Sequence, residues 1–194
     1  MSHELEQKKI FDRKHLGLWV YLMTDCILFA TLFAVFVVLK GATAGGPSGA
    51  DIFDLDFVLI ETLLLLTSSL TIGIAVMAAR KGSKRLTLAL VAATFLLGAI
   101  FLGMELWEFN HLIAEGYGWQ RSAFLSAFFV LVATHGLHIL VGLLWIIVVW
   151  VRLIKKGFTR NDVQRLTLLG LFWHFLDVIW IFVFSIVYLI GGLA

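Results

Sequence analysis

The side chains of this sequence that could hold a metal or carry a proton are Asp25, Glu61, Glu105, Glu108, His111, His135, His138, His174 and Asp177, and each sits inside or at the end of an otherwise apolar stretch. Their spacing is as informative as their type. Glu105, Glu108 and His111 follow one another at i, i+3, as do His135 with His138 and His174 with Asp177. Such pairs stand about 60° apart on a helix, so they form three polar stripes. Glu108-Phe109-Asn110-His111 is a Glu-x-x-His, the spacing that di-iron carboxylate bundles use, and two histidines on separate helices are a known way to hold haem. Against a di-iron site, the motif occurs once, whereas such a centre needs two copies and two further glutamates at one depth. The alternative chemistry is hydrogen bonding between helices: His135 and His138 flanked by the small residues Gly136 and Gly142, an Asp177–His174 bond, and Trp180 packed three residues beyond Asp177. Asp25, a lone acid with Tyr21 at i−4 and Thr24 beside it, is either a proton-handling group or a neutral, hydrogen-bonded one.

The elements that must position these groups follow from composition. Of 194 residues, 61% are hydrophobic and 14% charged, with 17 Phe, 7 Trp and a single Pro. Soluble domains carry about 25% charged residues. Apolar windows fall at 16–39, 55–79, 86–112, 122–154 and 166–193, each long enough at about 1.5 Å per residue to cross a hydrocarbon core of about 30 Å. The expected fold is therefore an all-α integral membrane protein, a single five-helix transmembrane domain over 16–194 preceded by a hydrophilic cytoplasmic segment over 1–15, with no cleaved leader. Short connections, Gly-rich at Gly41, Gly45, Gly46, Pro47 and Gly49 and again at Gly116 and Gly118, make consecutive helices antiparallel neighbours.

Lys and Arg alternate between loops. Lys8, Lys9, Arg13 and Lys14 precede the first span, Arg80, Lys81, Lys84 and Arg85 lie between the second and third, and Arg152, Lys155, Lys156, Arg160 and Arg165 between the fourth and fifth; only Lys40 and Arg121 lie on the other side. Positive residues stay inside, which places the N-terminus in the cytoplasm and the C-terminus in the periplasm. The one cysteine, Cys26, rules out a disulfide framework and a thiolate metal site. No phosphate loop, nucleophile elbow or basic nucleic-acid surface is present. A small proton-coupled transporter built on Asp25 is disfavoured by the absence of a repeat and of proline-broken helices.

No Lys or Arg accompanies the intramembrane acids. A carboxylate at the centre of a spanning helix costs about 2.5–3.5 kcal/mol, so five of them charged against lipid would cost roughly 10 kcal/mol or more. They must face protein, water or headgroups. Distances along the helices put Asp25, Asp177, His135 and His138 near mid-depth, where they could meet, and Glu61, Glu105, Glu108 and His111 toward the outside. Glu61, within two turns of a helix start, also reads as an interfacial acid. Trp19, Trp107, Trp119 and Trp150 read as residues of the aromatic belt.

Four segments together carry a resemblance: GLWVYLMTDCILF over 17–29, GMELWEF over 103–109, THGLH over 134–138 and FWHFLDVIW over 172–180. They resemble subunit III of the haem-copper terminal oxidases across nearly the whole chain from Leu16. The outer loop, with Gly45, Gly46 and Pro47 followed by Asp51, Ile52 and Phe53, is most similar to the bo-type ubiquinol oxidase branch, whose five-helix form it shares. Many cytochrome c oxidases carry two further N-terminal helices here, and a cytochrome c oxidase subunit III is the alternative. The resemblance implies a non-catalytic subunit of an aerobic, proton-pumping respiratory oxidase in the bacterial plasma membrane. It would support assembly and bind phospholipid in a cleft between two helix groups. It would carry no cofactor, haem and copper residing in the directly contacting partner subunit I, with subunits II and IV in the same complex. It also implies that Asp25 stands where the family usually has a glutamate linked to efficient proton uptake. Glu105, Glu108, His135, His138, His174, Asp177 and Trp180 match the family's polar signature.

Overall fold

The structure, a computed structural model, describes residues 2–156 and 159–192. Their regular structure is entirely helical: α1 (Ser2–Leu39), α2 (Gly49–Ile52), α3 (Leu55–Arg80), α4 (Lys84–Ala114), α5 (Ala123–Lys156) and α6 (Arg160–Val183), the last continued by a π-helical stretch, Phe184–Ile190. Five helices are long and apolar enough to cross a membrane, over Asp12–Leu39, Leu55–Arg80, Lys84–Ala114, Ala123–Lys155 and Asn161–Ile190. The first four lie within about one turn of the expected windows, and the fifth starts five residues earlier than expected. The basic turn around Gly157 and the end of the fifth window at Leu193 lie outside the described residues. The hydrophilic segment over 1–15 is not a separate element from Ser2 onward, because α1 runs unbroken through it. Its Glu, Gln, Lys and Leu residues favour a helix, and neither Gly nor Pro precedes Gly17.

Local signals set the helix ends. Asp54 caps α3, its Oδ1 accepting from the backbone N–H groups of Asp56 at 3.1 Å and Phe57 at 3.3 Å. At the α5–α6 turn Thr159 donates its N–H to Asp162 Oδ2 at 3.2 Å and its hydroxyl at 2.5 Å, while Arg152 Nε donates to Asp162 Oδ1 at 3.0 Å. One buried carboxylate thus ties the end of α5 to the start of α6.

Helices α3, α4, α5 and α6 form a ring in which each packs on the next and α6 closes on α3; α1 lies along α5 and α6 and reaches the π-helical stretch. The expectation that consecutive spans are neighbours therefore holds for α3–α4, α4–α5 and α5–α6 but fails for α1 and α3. The loop over 40–54 is long enough to cross the end of the bundle, and side chains pin it there. Phe124 N–H donates to the Ala42 carbonyl at 3.3 Å, and the Phe53 ring lies 5.1 Å from Phe128 and 4.8 Å from Tyr188. Gly49 packs on the backbone carbonyl of Gly191 so closely that no Cβ fits.

Helix α6 is the central post. Trp173 and Trp180, a heptad apart, both point toward α3, where their indole N–H groups donate to Ser68 Oγ and Thr62 Oγ1, each at 3.0 Å. The Trp173 ring fills a slot between two glycines: a Cβ on Gly98 of α4 or on Gly142 of α5 would stand 2.8 Å from it. Small residues bring backbones together and a large ring fills the gap, the usual geometry where lipid supplies no hydrophobic drive between helices.

Candidate functional site

The ionisable groups are distributed among four interfaces. Between α1 and α5, His138 Nε2 lies 3.5 Å from Asp25 Oδ2. His138 Nδ1 is 2.7 Å from the Thr134 carbonyl, which can only accept, so Nδ1 carries the ring proton and turns Nε2 toward the acid. Phe29 covers His138 at 5.3 Å.

In the middle of the ring, His135 is fully buried and donates from Nε2 to the Leu176 carbonyl at 3.2 Å, leaving Nδ1 without a partner. Trp180 lies 5.1 Å to one side and Phe101 stands edge-on at 5.9 Å. This arrangement fastens α5 to α6.

Toward one end of the bundle, Glu61 of α3 and Glu105 and Glu108 of α4 come within range of one another's charge. All three are buried. Tyr188, presented by the π-helical stretch, donates to Glu108 Oε2 at 2.9 Å. Glu105 lies against Gly136, whose missing side chain makes its space, and among the described residues neither Glu105 nor Glu61 has a hydrogen-bond partner.

At the α3–α6 contact, His174 Nδ1 and Ser69 Oγ are 2.6 Å apart. The His174 ring lies over Gly73.

These positions correct four expectations. Asp25 and His138 meet, but Asp177 does not join them, because it faces α3 while α1 lies against other faces of α6. His111 leaves the outer cluster: two i, i+3 steps turn it about 120° from Glu105. It is exposed, stacks on Trp107 at 5.3 Å and approaches Glu115 at 3.4 Å. His174 takes Ser69 as its hydrogen-bond partner in place of Asp177. Glu61, expected near a helix start, is fully buried within the cluster rather than exposed. Trp180 is a buried packing residue, as its spacing suggests.

The residues of the Glu-x-x-His and the paired histidines are placed as follows. Glu108 and His111 diverge, and one nitrogen of each of His135 and His138 is committed to a backbone carbonyl. Among the described residues no group of three or more His, Cys, Asp or Glu is arranged to hold a metal ion.

Sequence reasoning passed over Tyr188, Thr62, Ser68, Ser69 and Trp173. The adjacent hydroxyls of Ser68 and Ser69 in an apolar run were a usable signal. Tyr188 was not, because only the π-helical turn brings it to Glu108. Replacing Tyr188 with Phe should leave Glu108 Oε2 without its donor and lower stability by about 1–3 kcal/mol. Resistance of the purified chain to denaturing detergent measures this, and an unchanged midpoint would mean that the bond contributes nothing.

Comparison with known proteins places this architecture. Residues 4–192 match the family model described as cytochrome c oxidase subunit III. Cytochrome bo(3) ubiquinol oxidase subunit 3 of Pseudomonas putida is 58% identical over 178 residues, 92% of this chain and 86% of the relative. The protein of the same name from Pseudomonas aeruginosa is 56% identical over 91% of this chain and 85% of its own length. Cytochrome c oxidase subunit 3 of Alkalihalophilus pseudofirmus is 46% identical over 92% and 87%. Five membrane-crossing helices, the internal polar layers and a match over almost the full length converge: the chain is a multi-pass membrane protein and belongs to the subunit III family of the haem-copper oxidases.

Proposed function

We propose that this chain is the non-catalytic subunit III of a proton-pumping, ubiquinol-oxidising haem-copper oxidase in the bacterial plasma membrane, its N-terminus cytoplasmic and its C-terminus periplasmic. The observation that carries the choice of donor is the pair of relatives named ubiquinol oxidase subunit 3 at 56% and 58% identity, against 46% for one named cytochrome c oxidase subunit 3. The loop charges support the orientation. The supporting role rests on how the ionisable groups are used. Asp25 with His138, His135 with the Leu176 carbonyl, Glu108 with Tyr188, and His174 with Ser69 each join two elements of the bundle. These groups are spent on holding helices together, which supports a structural role. Haem and copper belong to subunit I beside this chain, subunits II and IV complete the complex, and phospholipid fills what remains of the lipid-facing surface.

Purification through a tag on this chain tests the reading. Haem and copper should co-purify with a larger membrane subunit, support ubiquinol oxidation, and leave with that subunit when the complex is stripped. Metal retained by the isolated chain in stoichiometric amount would overturn it.

A further inference from the structure

The middle of a spanning helix is a costly place to leave an imidazole uncovered, and His174 is left so. Ser69 lies near the middle of α3 and His174 near the middle of the span Asn161–Ile190, about 15 Å from either edge of a hydrocarbon core of about 30 Å. Of the histidines at such central positions, His135 is buried and His138 half-buried, whereas His174 is exposed. It stands in a groove of about 270 Å³ between α3 and α6, walled by Leu66, Leu70, Ile74 and Met77. Ser69 and Asp177 also line the groove but are buried, so the imidazole is its exposed polar edge. Ser69 Oγ holds His174 Nδ1 at 2.6 Å. Nε2 is the ring nitrogen left without a hydrogen-bond partner among the described residues, and it lies over Gly73, where a Cβ would stand 3.6 Å from it.

We propose that this groove holds the ring of a quinone or quinol from the membrane pool, with one ring oxygen on His174 Nε2 and the apolar tail lying in lipid. The proposal rests on the ubiquinol-oxidising reading above and adds a quinone-holding site to this chain. Three observations select that ligand. The first is depth with charge: no Lys or Arg lines the groove, and a phospholipid phosphate stays at the interface, so the occupant is a neutral molecule whose polar atoms reach mid-membrane. The second is the Ser69–His174 pair, because a serine hydroxyl both donates and accepts. With Ser69 donating to Nδ1, Nε2 carries the ring proton and donates to a quinone carbonyl. With Nδ1 donating to Ser69, Nε2 is bare and accepts from a quinol hydroxyl. The pair thus fits both redox forms of one molecule. The third is shape. Apolar walls around a single polar point are the usual make-up of a small-molecule site, and the volume falls just below the roughly 300–1,000 Å³ that encloses a drug-sized ligand, leaving room for one substituted ring. Gly73, with no side chain, keeps α3 low beneath that ring.

The test uses the assembled oxidase, purified through this chain, and a photoreactive azido-ubiquinone. Illumination should attach the probe to peptides covering 66–77 of α3 or 170–178 of α6, located by mass spectrometry. Excess unlabelled ubiquinone should suppress those adducts, whereas excess phospholipid should not. Gly73→Leu fills the groove with apolar atoms and leaves the Ser69–His174 bond in place, while His174→Phe keeps a ring and removes its nitrogens. Each should lower labelling of those peptides by about tenfold, the worth of one hydrogen bond to the ligand or of the room it occupies. An intact complex labelled on its other subunits and not on α3 or α6 would overturn the site. So would adducts that phospholipid displaces and ubiquinone does not, or labelling unchanged in both variants. A tagged chain that captures no ubiquinol-oxidising complex would instead overturn the reading on which the site rests.

Discussion

Trp173→Ala should be among the most destabilising single substitutions in this chain, costing about 3–5 kcal/mol and lowering the ratio of folded to unfolded protein by more than about a hundredfold. The reason is the slot. The indole is 1% exposed and fills the space that Gly98 on α4 and Gly142 on α5 leave open, so its removal opens a cavity between three helices at once. Dispersion contacts outweigh the lost hydrogen bond: Ser68 Oγ retains its own bond to the Leu65 carbonyl at 2.7 Å and is not stranded. Trp173→Phe, which refills part of the slot, should recover about half of the loss. Detergent denaturation of the three proteins orders them, and an alanine variant within about 1 kcal/mol of the parent would show that the helices close over the gap.

The second large effect is expected at Gly136. A Cβ there would stand 2.5 Å from Glu105 Oε1 and 2.9 Å from both Cδ and Oε2. A flexible surface carboxylate would step aside. Glu105 cannot do so easily, because it is 1% exposed and shares its layer with Glu61 and Glu108. Gly136→Ala should therefore cost about 1–3 kcal/mol, and Gly136→Val more. Glu105→Ala removes the obstacle together with a carboxyl that has no hydrogen-bond partner, so alone it should cost little beyond its cavity. The double variant should be more stable than the sum of the two changes, by about 1 kcal/mol or more. Strict additivity would mean that α4 and α5 do not meet through this pair.

What the sequence determined by itself is what depends on the order of residues along one helix. Apolar run length places the five spans, because the rise per residue is constant. The depth of each acid and histidine follows from the same rise, so the separation of Glu105 and Glu108 from Asp25 and His138 was legible before any packing was known. The four polar segments were also enough to indicate the family.

Tertiary structure alone decided which groups at one depth become partners. Rotation of each helix about its axis is set by the side chains between helices, here by Trp173 wedged against Gly98 and Gly142 and by Glu105 seated on Gly136. That rotation sends Asp177 toward α3 and away from Asp25, and turns His111 out of the carboxyl cluster. The crossing of the loop over 40–54 carries α1 past α3 to α5 and α6, a choice left open by loop length and settled by Phe53 and Gly49 against the far end of the bundle. The π-helical turn brings Tyr188 to Glu108, and no periodicity in the sequence signals it. Depth is a local property of a helix, whereas azimuth and neighbour belong to the whole bundle, and the chemistry of a buried polar group depends on both.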